Sequence, residues 1–451
     1  MRRKRKSDRK IIQRRSVTAV LAIVVWLTAF LGPLPVAAIP PQLKYVVVIS
    51  RHGVRAPTWS SERLKQYSAG PWPEWGVPAG YLTPHGRVLM KLMGTFYGDG
   101  FASDGLLKRP GCNDAARIYI WADKDQRTLE TGHAFAETLL PTCMIPVHSQ
   151  SEDGSDPLFD PVSAGLAKPN PQIAADAVRD RLGRQPRQLL ETHRSAFDTL
   201  QYVLTGGKSA PKNILESSAE ISVSTSGKSI ELNGPLGTAS TLGEDLLLEY
   251  TNDMEGEDLG WGRLNAENLL RILELHAAYA DLTRHTGYLA RARGSNLLAH
   301  ILRSMEQAVT GHAIPGALGN SGDAALILCG HDTNLSNISG ILGLSWHLPG
   351  YQPDDVPPGG ALILSLWRDP DSGQYFVRTQ FVVQTLEQMR NATPLAVAFP
   401  PAMQEVSIPG CEIADQSRGC SWQVFKTTLE HAIDPEFVSL EAGGRAIPGH
   451  P

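Results

Sequence analysis

The sequence predicts an α/β protein with a mixed sheet, interrupted by a mainly helical stretch. Three short apolar runs each empty into a charged turn. Tyr45-Val46-Val47-Val48-Ile49 leads into Arg51-His52-Gly53-Val54-Arg55-Ala56-Pro57, Ile118-Tyr119-Ile120-Trp121 into Asp123-Lys124-Asp125-Gln126-Arg127-Thr128, and Ala324 to Cys329 into His331-Asp332. Unbroken runs of this length suit strands buried on both faces. Leu362 to Trp367, the turn Asp369-Pro370-Asp371-Ser372-Gly373 and Tyr375 to Val383 read as a hairpin, which adds antiparallel neighbours to the sheet. Between Ile173 and about Thr286 the apolar spacing is helical instead.

The chain opens on MRRKRKSDRKIIQRR, strongly basic, followed by the apolar run Val17 to Leu31 and by Val36-Ala37-Ala38. This is the order of a secretory signal peptide covering residues 1–38, with Ala38 the last residue removed, and an uncleaved signal anchor is the alternative reading. The run is shorter than the roughly twenty residues a spanning helix needs. An exported chain is expected, periplasmic or secreted, with no membrane contact once the leader is gone. With 42 Lys+Arg against 46 Asp+Glu and a net charge of -4, no nucleic-acid or anionic-membrane partner is indicated. A monomer is expected.

The five cysteines permit two disulfides in an exported chain. Cys411 and Cys420 enclose a polar loop, Cys112 and Cys143 flank a strand and a helix, and Cys329 is left as a buried small hydrophobe. No CxxC or CxxH pattern supports a structural zinc site.

After the first charged turn, Ser60 to Tyr81 is rich in Trp, Pro and Gly and reads as a loop in the wall of a crevice. Thr83-Pro84-His85-Gly86 opens a helix through Tyr97 with Val88, Leu89, Leu92 and Phe96 along one face. A second helix follows from Thr128 to Leu140, and Gln150 to Gln172 is a long polar connection. In the helical stretch, Leu189 to Leu204, Leu242 to Tyr250 and the face Leu269, Ile272, Leu273, His276, Ala280 stand out, with a small hairpin between Lys208 and Gly234. Leu297, Leu298, Ile301, Leu302 and Met305 share a face of the next helix, and the tail around Cys411 to Cys420 reads as surface.

The charged turns suggest chemistry. Arginine forks match a phosphate or carboxylate, and a neutral imidazole between two of them can attack the phosphorus they hold. Arg51, Arg55 and Arg127 together offer about fifteen N–H donors, enough to neutralise a dianion with no metal and no cofactor. Taken singly, the same residues also fit blander roles. Arg51 and Arg55 suit solvated loop charges, Arg127 a surface charge at a helix start, and His331-Asp332 a helix N-cap pair.

RHGVRAP early in the chain and GHDTN late in it resemble the histidine acid phosphatases, and the similarity extends through LTPHG near residue 82, ADKDQRT, DPLFDP, GWGR at 260 and PPGG at 357. Within that family the chain looks like the bacterial periplasmic phytases. The resemblance implies a mixed-sheet αβα sandwich carrying an inserted, mainly α-helical domain. The division would be residues 39–170 and 287–451 for the two α/β halves and 171–286 for the insertion. It implies a phosphomonoesterase with His52 as nucleophile and Asp332 as proton donor to the leaving alcohol, protonated when a small phosphorylated substrate arrives. Arg51, Arg55, Arg127 and His331 would hold phosphate. Thr58, Glu244 and Thr333 are pocket candidates, although Glu244 by itself reads as a surface charge in the first turn of a helix. Flanking positive charge should keep His52 neutral in mild acid.

A 4-phytase-like activity is expected, with a broad acid or sugar phosphatase as the alternative and a non-catalytic phosphate-binding protein outside the enzyme class. Gly53 rather than Asn leans away from the glucose-1-phosphatase branch. Trp59 stands where enteric phytases have a lysine that helps hold a polyanionic substrate, which weakens the phytate expectation.

Overall fold

A computed structural model describes residues 39–150, 154–183, 186–216, 220–223, 230–411 and 419–440. The expected leader, residues 1–38, lies outside them, and among the described residues no helix is long and apolar enough to cross a membrane.

The strands are β1 (Gln42–Arg51), β2 (Ile118–Ala122), β3 (Val147–His148), β4 (Glu220–Val223), β5 (Ile230–Asn233), β6 (Ala325–Gly330), β7 (Ala361–Arg368), β8 (Tyr375–Val383), β9 (Ala402–Glu405) and β10 (Cys420–Ser421). Eight of them form one sheet in the order β10-β8-β7-β1-β6-β2-β3, with β9 also on β8. β1, β6, β2 and β3 run parallel, and β7 joins β1 antiparallel, so the sheet is mixed as expected. β4 and β5 pair separately as the small hairpin.

Register places the site. Arg51 of β1 lies opposite Gly330 of β6, and Ala122 of β2 opposite Cys329. Three neighbouring parallel strands therefore stop at one level, and their charged turns emerge side by side at the carboxyl edge. The backbone continues the pairing past the strands, His52 N donating to Gly330 O at 2.9 Å and Asp123 N to Cys329 O at 3.0 Å. Carboxyl ends of parallel strands are where open α/β sheets bind ligands.

The longer helices are α1 (Pro84–Ser103), α2 (Gln126–Leu139), α3 (Pro171–Leu182), α4 (Pro186–Thr192), α5 (Arg194–Thr205), α6 (Pro235–Thr251), α7 (Ala266–Arg284), α8 (Gly287–Thr310), α9 (Asp332–Leu342) and α10 (Trp422–Ala432). Alternation along β1 divides the core. Val46 and Val48 pack with α1 and α2 on one face, Val47 and Ile49 with α8, α9 and the helical insertion on the other. Two buried layers of helix on a strand-alternating sheet give the αβα sandwich.

Several sequence expectations need correction. The buried face of α1 is Leu89, Met90, Met93, Tyr97 and Phe101, while Val88 is exposed. Apolar residues cover more than one side of this helix, and close approach chooses among them. A Cβ on Gly94 would stand 2.2 Å from Thr138 Oγ1, and one on Gly86 2.1 Å from Val54 O. These two glycines let α1 lie against α2 and against the RHGVRAP turn. The stretch Leu189 to Leu204 is two helices broken at His193, and the helix expected from Leu242 begins at Pro235. The Ser60–Tyr81 loop is tied to the helical insertion, with Ala69 N donating to Leu204 O and the Trp261 indole to Pro71 O. The C-terminal tail is not surface alone: β10 pairs with β8, and α10 buries Phe425 and Leu429. The two expected cysteine pairs, Cys112–Cys143 and Cys411–Cys420, are bonded, and Cys329 is a buried free thiol.

Candidate active site

The three strand ends, α9 and the 155–163 segment enclose a cavity of about 470 Å³ lined by His52, Arg55, Arg127, His331, Asp332 and Thr333, among others. Residues from distant parts of the sequence thus share one space. The rings of His52 and His331 lie 5.6 Å apart, edge to face.

His52 is almost fully buried. Its Nδ1 is 2.8 Å from the Gly53 carbonyl, which can only accept, so Nδ1 carries the hydrogen and Nε2 keeps a lone pair. Burial, then the charges of Arg51, Arg127, His331 and Arg55, hold the imidazole well below its ordinary pKa. The expected neutral histidine is present, with burial a larger cause than the flanking charge named from sequence.

Arg51, also buried, donates to Val356 O at 2.5 Å and to the Glu244 carboxylate. Arg55 reaches the same Glu244 oxygen at 3.2 Å and Ala56 O at 3.0 Å. The surface reading of Glu244 is therefore wrong. It lies in the middle of α6, its side chain 13% exposed, as the shared counter-ion of two guanidiniums. Burial opposes its ionisation, but Arg51 and Arg55 outweigh that and bring its pKa to about 2.

Arg127, one residue into α2, pairs with Asp125 at 2.6 Å and faces His331 Nδ1 at 3.4 Å. His331 Nε2 is 2.6 Å from Asp123 Oδ2, and its backbone N–H donates to Asn334 Oδ1 at 2.9 Å. His331 occupies the N-cap position of α9, so the capping role and the cavity role coexist in one residue. The Nε atoms of Arg51, Arg55 and Arg127 are buried and have no partner among the described residues. Thr333 lines the cavity, while Thr58 is exposed at the rim beside Gly80 and Arg127.

Asp332 departs from expectation. Its Oδ2 is 2.5 Å from Arg284 Nη1, at the end of α7. Burial opposes ionisation, yet Arg284, with Arg51 and His276 behind it, holds the carboxyl well below the usual range. In the resting site it is an ion-paired carboxylate, whereas the role expected from sequence needs it protonated when substrate arrives. Arg284 was not singled out from sequence because a basic residue in the last turn of a helix is an ordinary complement to the helix dipole. The 155–163 segment, read only as a connection, supplies a cavity wall with Asp156, Phe159 and Asp160. The ligand atoms of Asp123, Asp125 and His331 lie within 4.8 Å of one another, close enough to share a cation. In this arrangement they instead serve His331 and Arg127.

An imidazole with a free Nε2, walled by guanidiniums at the carboxyl edge of a mixed sheet and accompanied by a carboxyl group, defines a phosphoryl-transferring α/β enzyme of the histidine type. Residues 42–202 and 244–382 match the model of the histidine phosphatase superfamily (branch 2). The chain is 34% identical over 413 residues to phytase AppA of Escherichia coli, covering 88% of this chain and 93% of that protein. It is 25% identical over 399 residues to a glucose-1-phosphatase of Providencia rettgeri, covering 87% and 92%. The structure of Hafnia alvei phytase in complex with tartrate superposes with a TM-score of 0.83 at 34% identity, covering 89% of this chain and 100% of the other. Citrobacter braakii phytase gives a TM-score of 0.81 at 34% identity, covering 88% and 99%. The chain belongs to the histidine phosphatase superfamily, branch 2, and is a phosphoric monoester hydrolase.

Proposed function

We propose that this enzyme is an exported acid phosphatase acting on phytate or a similar polyphosphorylated alcohol, with residues 1–38 as its leader and 171–286 as the helical domain over its cavity. The single observation that carries the catalytic reading is His52: its Nδ1–H is spent on Gly53 O, so the nucleophilic edge stands in a cavity walled by Arg55, Arg127 and His331. Arg51, Arg55, Arg127 and His331 hold the phosphoryl oxygens. Nε2 of His52 attacks phosphorus as the bond to the ester oxygen breaks, and Asp332 protonates the departing alkoxide. Water then attacks phosphorus as its bond to His52 Nε2 breaks, Asp332 takes a proton from that water, and phosphate leaves.

Asp332 needs a proton that Arg284 denies it at rest. A phosphate monoester has a second pKa of about 6, so in mild acid it arrives largely as a monoanion carrying one. Its charge draws Arg284 away, and the freed carboxyl accepts that proton. Glu244 tempers the two guanidiniums beneath, so that product phosphate is released.

Acid trapping of phosphorylated protein from wild type, with none from His52→Ala, is the expected result. Trapping equal amounts from both would remove His52 from the reaction. A broad acid or sugar phosphatase is the second reading, favoured by Trp59 in place of a lysine and by the relatives named glucose-1-phosphatase. Initial rates on phytate, glucose 1-phosphate and an aryl phosphate in mild acid separate the two. Phytate turnover far below the other two decides for the second.

A further inference from the structure

A second cavity, of about 450 Å³, lies on the other side of α9 from the catalytic one. Asp332, Thr333 and Asn337 line the catalytic cavity, whereas Ser336 of the same helix lines the second. The remaining walls come from the end of α3, from α4, from the second half of α7 and from the 352–356 segment. Arg284 is among them, so the guanidinium that bonds Asp332 forms part of the partition between the two spaces. None of the carboxylates lining this second cavity takes part in the mechanism above.

The lining is aliphatic on one side and acidic on the other. Leu182, Leu189, Ala278 and Leu282 make the first, and Glu274, Asp281, Asp354 and Asp355 the second. Only two guanidiniums stand against these carboxylates, and both are already neutralised, Arg181 by Asp281 and Arg284 by Asp332. Glu274 meets the His193 imidazole at 3.7 Å, and among the described residues no Lys or Arg forms an ion pair with Glu274, Asp354 or Asp355.

Asp355 is the decisive group. It is 6% exposed, its carboxyl takes the Val356 N–H, and Oδ2 has no hydrogen-bond partner among the described residues. His276 and Arg51 act on it from a distance, but Arg51 is bonded to Glu244, the Asp332 charge opposes them, and burial prevails, pushing its pKa up. His285 repeats the pattern. Its Nδ1 lies 3.5 Å from Asp281 Oδ1, so the hydrogen sits there, and the buried Nε2 is an acceptor with no partner among the described residues. Buried acceptors without donors cost free energy, which a ligand bringing N–H groups relieves. Aliphatic surface beside uncompensated carboxylates suits an organic ammonium ion. A metal suits it less, because among the described residues no three ligand atoms of this cavity lie close enough to share one. Size agrees, since about 450 Å³ is within the range of small-molecule pockets.

We propose that this cavity is a second binding site, separate from the catalytic one, for a small aliphatic amine whose ammonium group pairs with Asp355. Amine binding there requires no step of the phosphatase mechanism.

The test compares a charged probe with a neutral one of the same length. 1,4-Diaminobutane and 1,4-butanediol are titrated calorimetrically at neutral pH into the wild-type chain, Asp355→Asn, Ala278→Phe, Glu274→Gln and Asp125→Asn. Wild type should bind the diamine about ten-fold or more tighter than the diol. Asp355→Asn, which keeps the shape and removes the charge, should weaken diamine binding about ten-fold, and Ala278→Phe, which fills the cavity, should do the same. Glu274→Gln, more exposed, should cost about three-fold. Asp125→Asn, in the catalytic cavity, should change diamine binding by less than about two-fold. If Ala278→Phe does not fold, the two carboxylate variants of the second cavity carry the comparison. Absence of diamine binding by wild type, or equal binding of diamine and diol, overturns the proposal. So does a loss on Asp125→Asn with none on Asp355→Asn, which would place the amine among the catalytic carboxylates instead.

Discussion

On the floor of the cleft, Arg51, His52, Arg55, Asp123, Arg127, His331 and Asp332 all lie within a few residues of three strand ends, each strand a compact apolar run. On the roof, Glu244 sits in the middle of α6 and Arg284 at the last residue of α7, in helices whose sequence shows only amphipathic spacing. Floor and roof meet through three ion pairs, Arg51 and Arg55 each with Glu244, and Asp332 with Arg284. In the proposed mechanism the floor supplies the reacting groups. The roof would set their charge state, since Glu244 pairs Arg51 and Arg55, and Arg284 pairs the Asp332 carboxylate.

The proposed roles make that division testable. His52→Ala should remove the floor's nucleophile and lower kcat by about 10⁴-fold or more on every phosphate ester, measured by phosphate release. Asp332→Asn should cost about 10² to 10⁴-fold on phytate and much less on an aryl phosphate, whose leaving group needs no proton. Comparable losses on both would assign Asp332 to binding instead. Arg284→Gln removes the roof's hold on Asp332, so the carboxyl titrates at higher pH. The alkaline limb of kcat should then move upward, with a rate change nearer ten-fold.

Two adjacent residues of α6 sharpen the contrast through stability. Glu244 has its folded pKa depressed to about 2, below an unfolded value of about 4.3. Its contribution is therefore complete above about pH 4.3 and lost as pH falls toward 2. Glu244→Gln should destabilise by about 3 kcal/mol at pH 6, with the gap closing between pH 4 and pH 2 in urea unfolding. Asp245 faces the core, its Oδ2 has no partner among the described residues, and burial pushes its pKa up to about 8. Between about pH 4 and pH 8 the unfolded chain binds fewer protons at this position, so wild-type stability declines with rising pH. Asp245→Asn removes the decline. Its advantage over wild type should be smallest near pH 4 and grow by at most about 1.4 kcal/mol per pH unit toward pH 8.

What the residues determined by themselves is the floor and the sheet that carries it. Short unbroken apolar runs suit buried strands, and an Arg-His-Gly turn and a His-Asp pair at the ends of two of them place charged groups at the sheet edge where ligands bind. The pairs that spacing suggested, Cys112 with Cys143 and Cys411 with Cys420, are the bonded ones, and Cys329 is buried and free, but only the fold settles the connectivity. The roof was not legible. Glu244 resembles any helical carboxylate and Arg284 any C-terminal helix cation until tertiary packing brings them within reach of charges far off in sequence. The buried side of α1 and the core position of α10 were hidden likewise, because periodicity says that a helix has an apolar face but not which neighbour it meets. Local sequence encodes which groups can react. Only the packing of helices from elsewhere in the chain decides whether those groups are ionised, paired or free, because burial and counter-charge are properties of the assembled space.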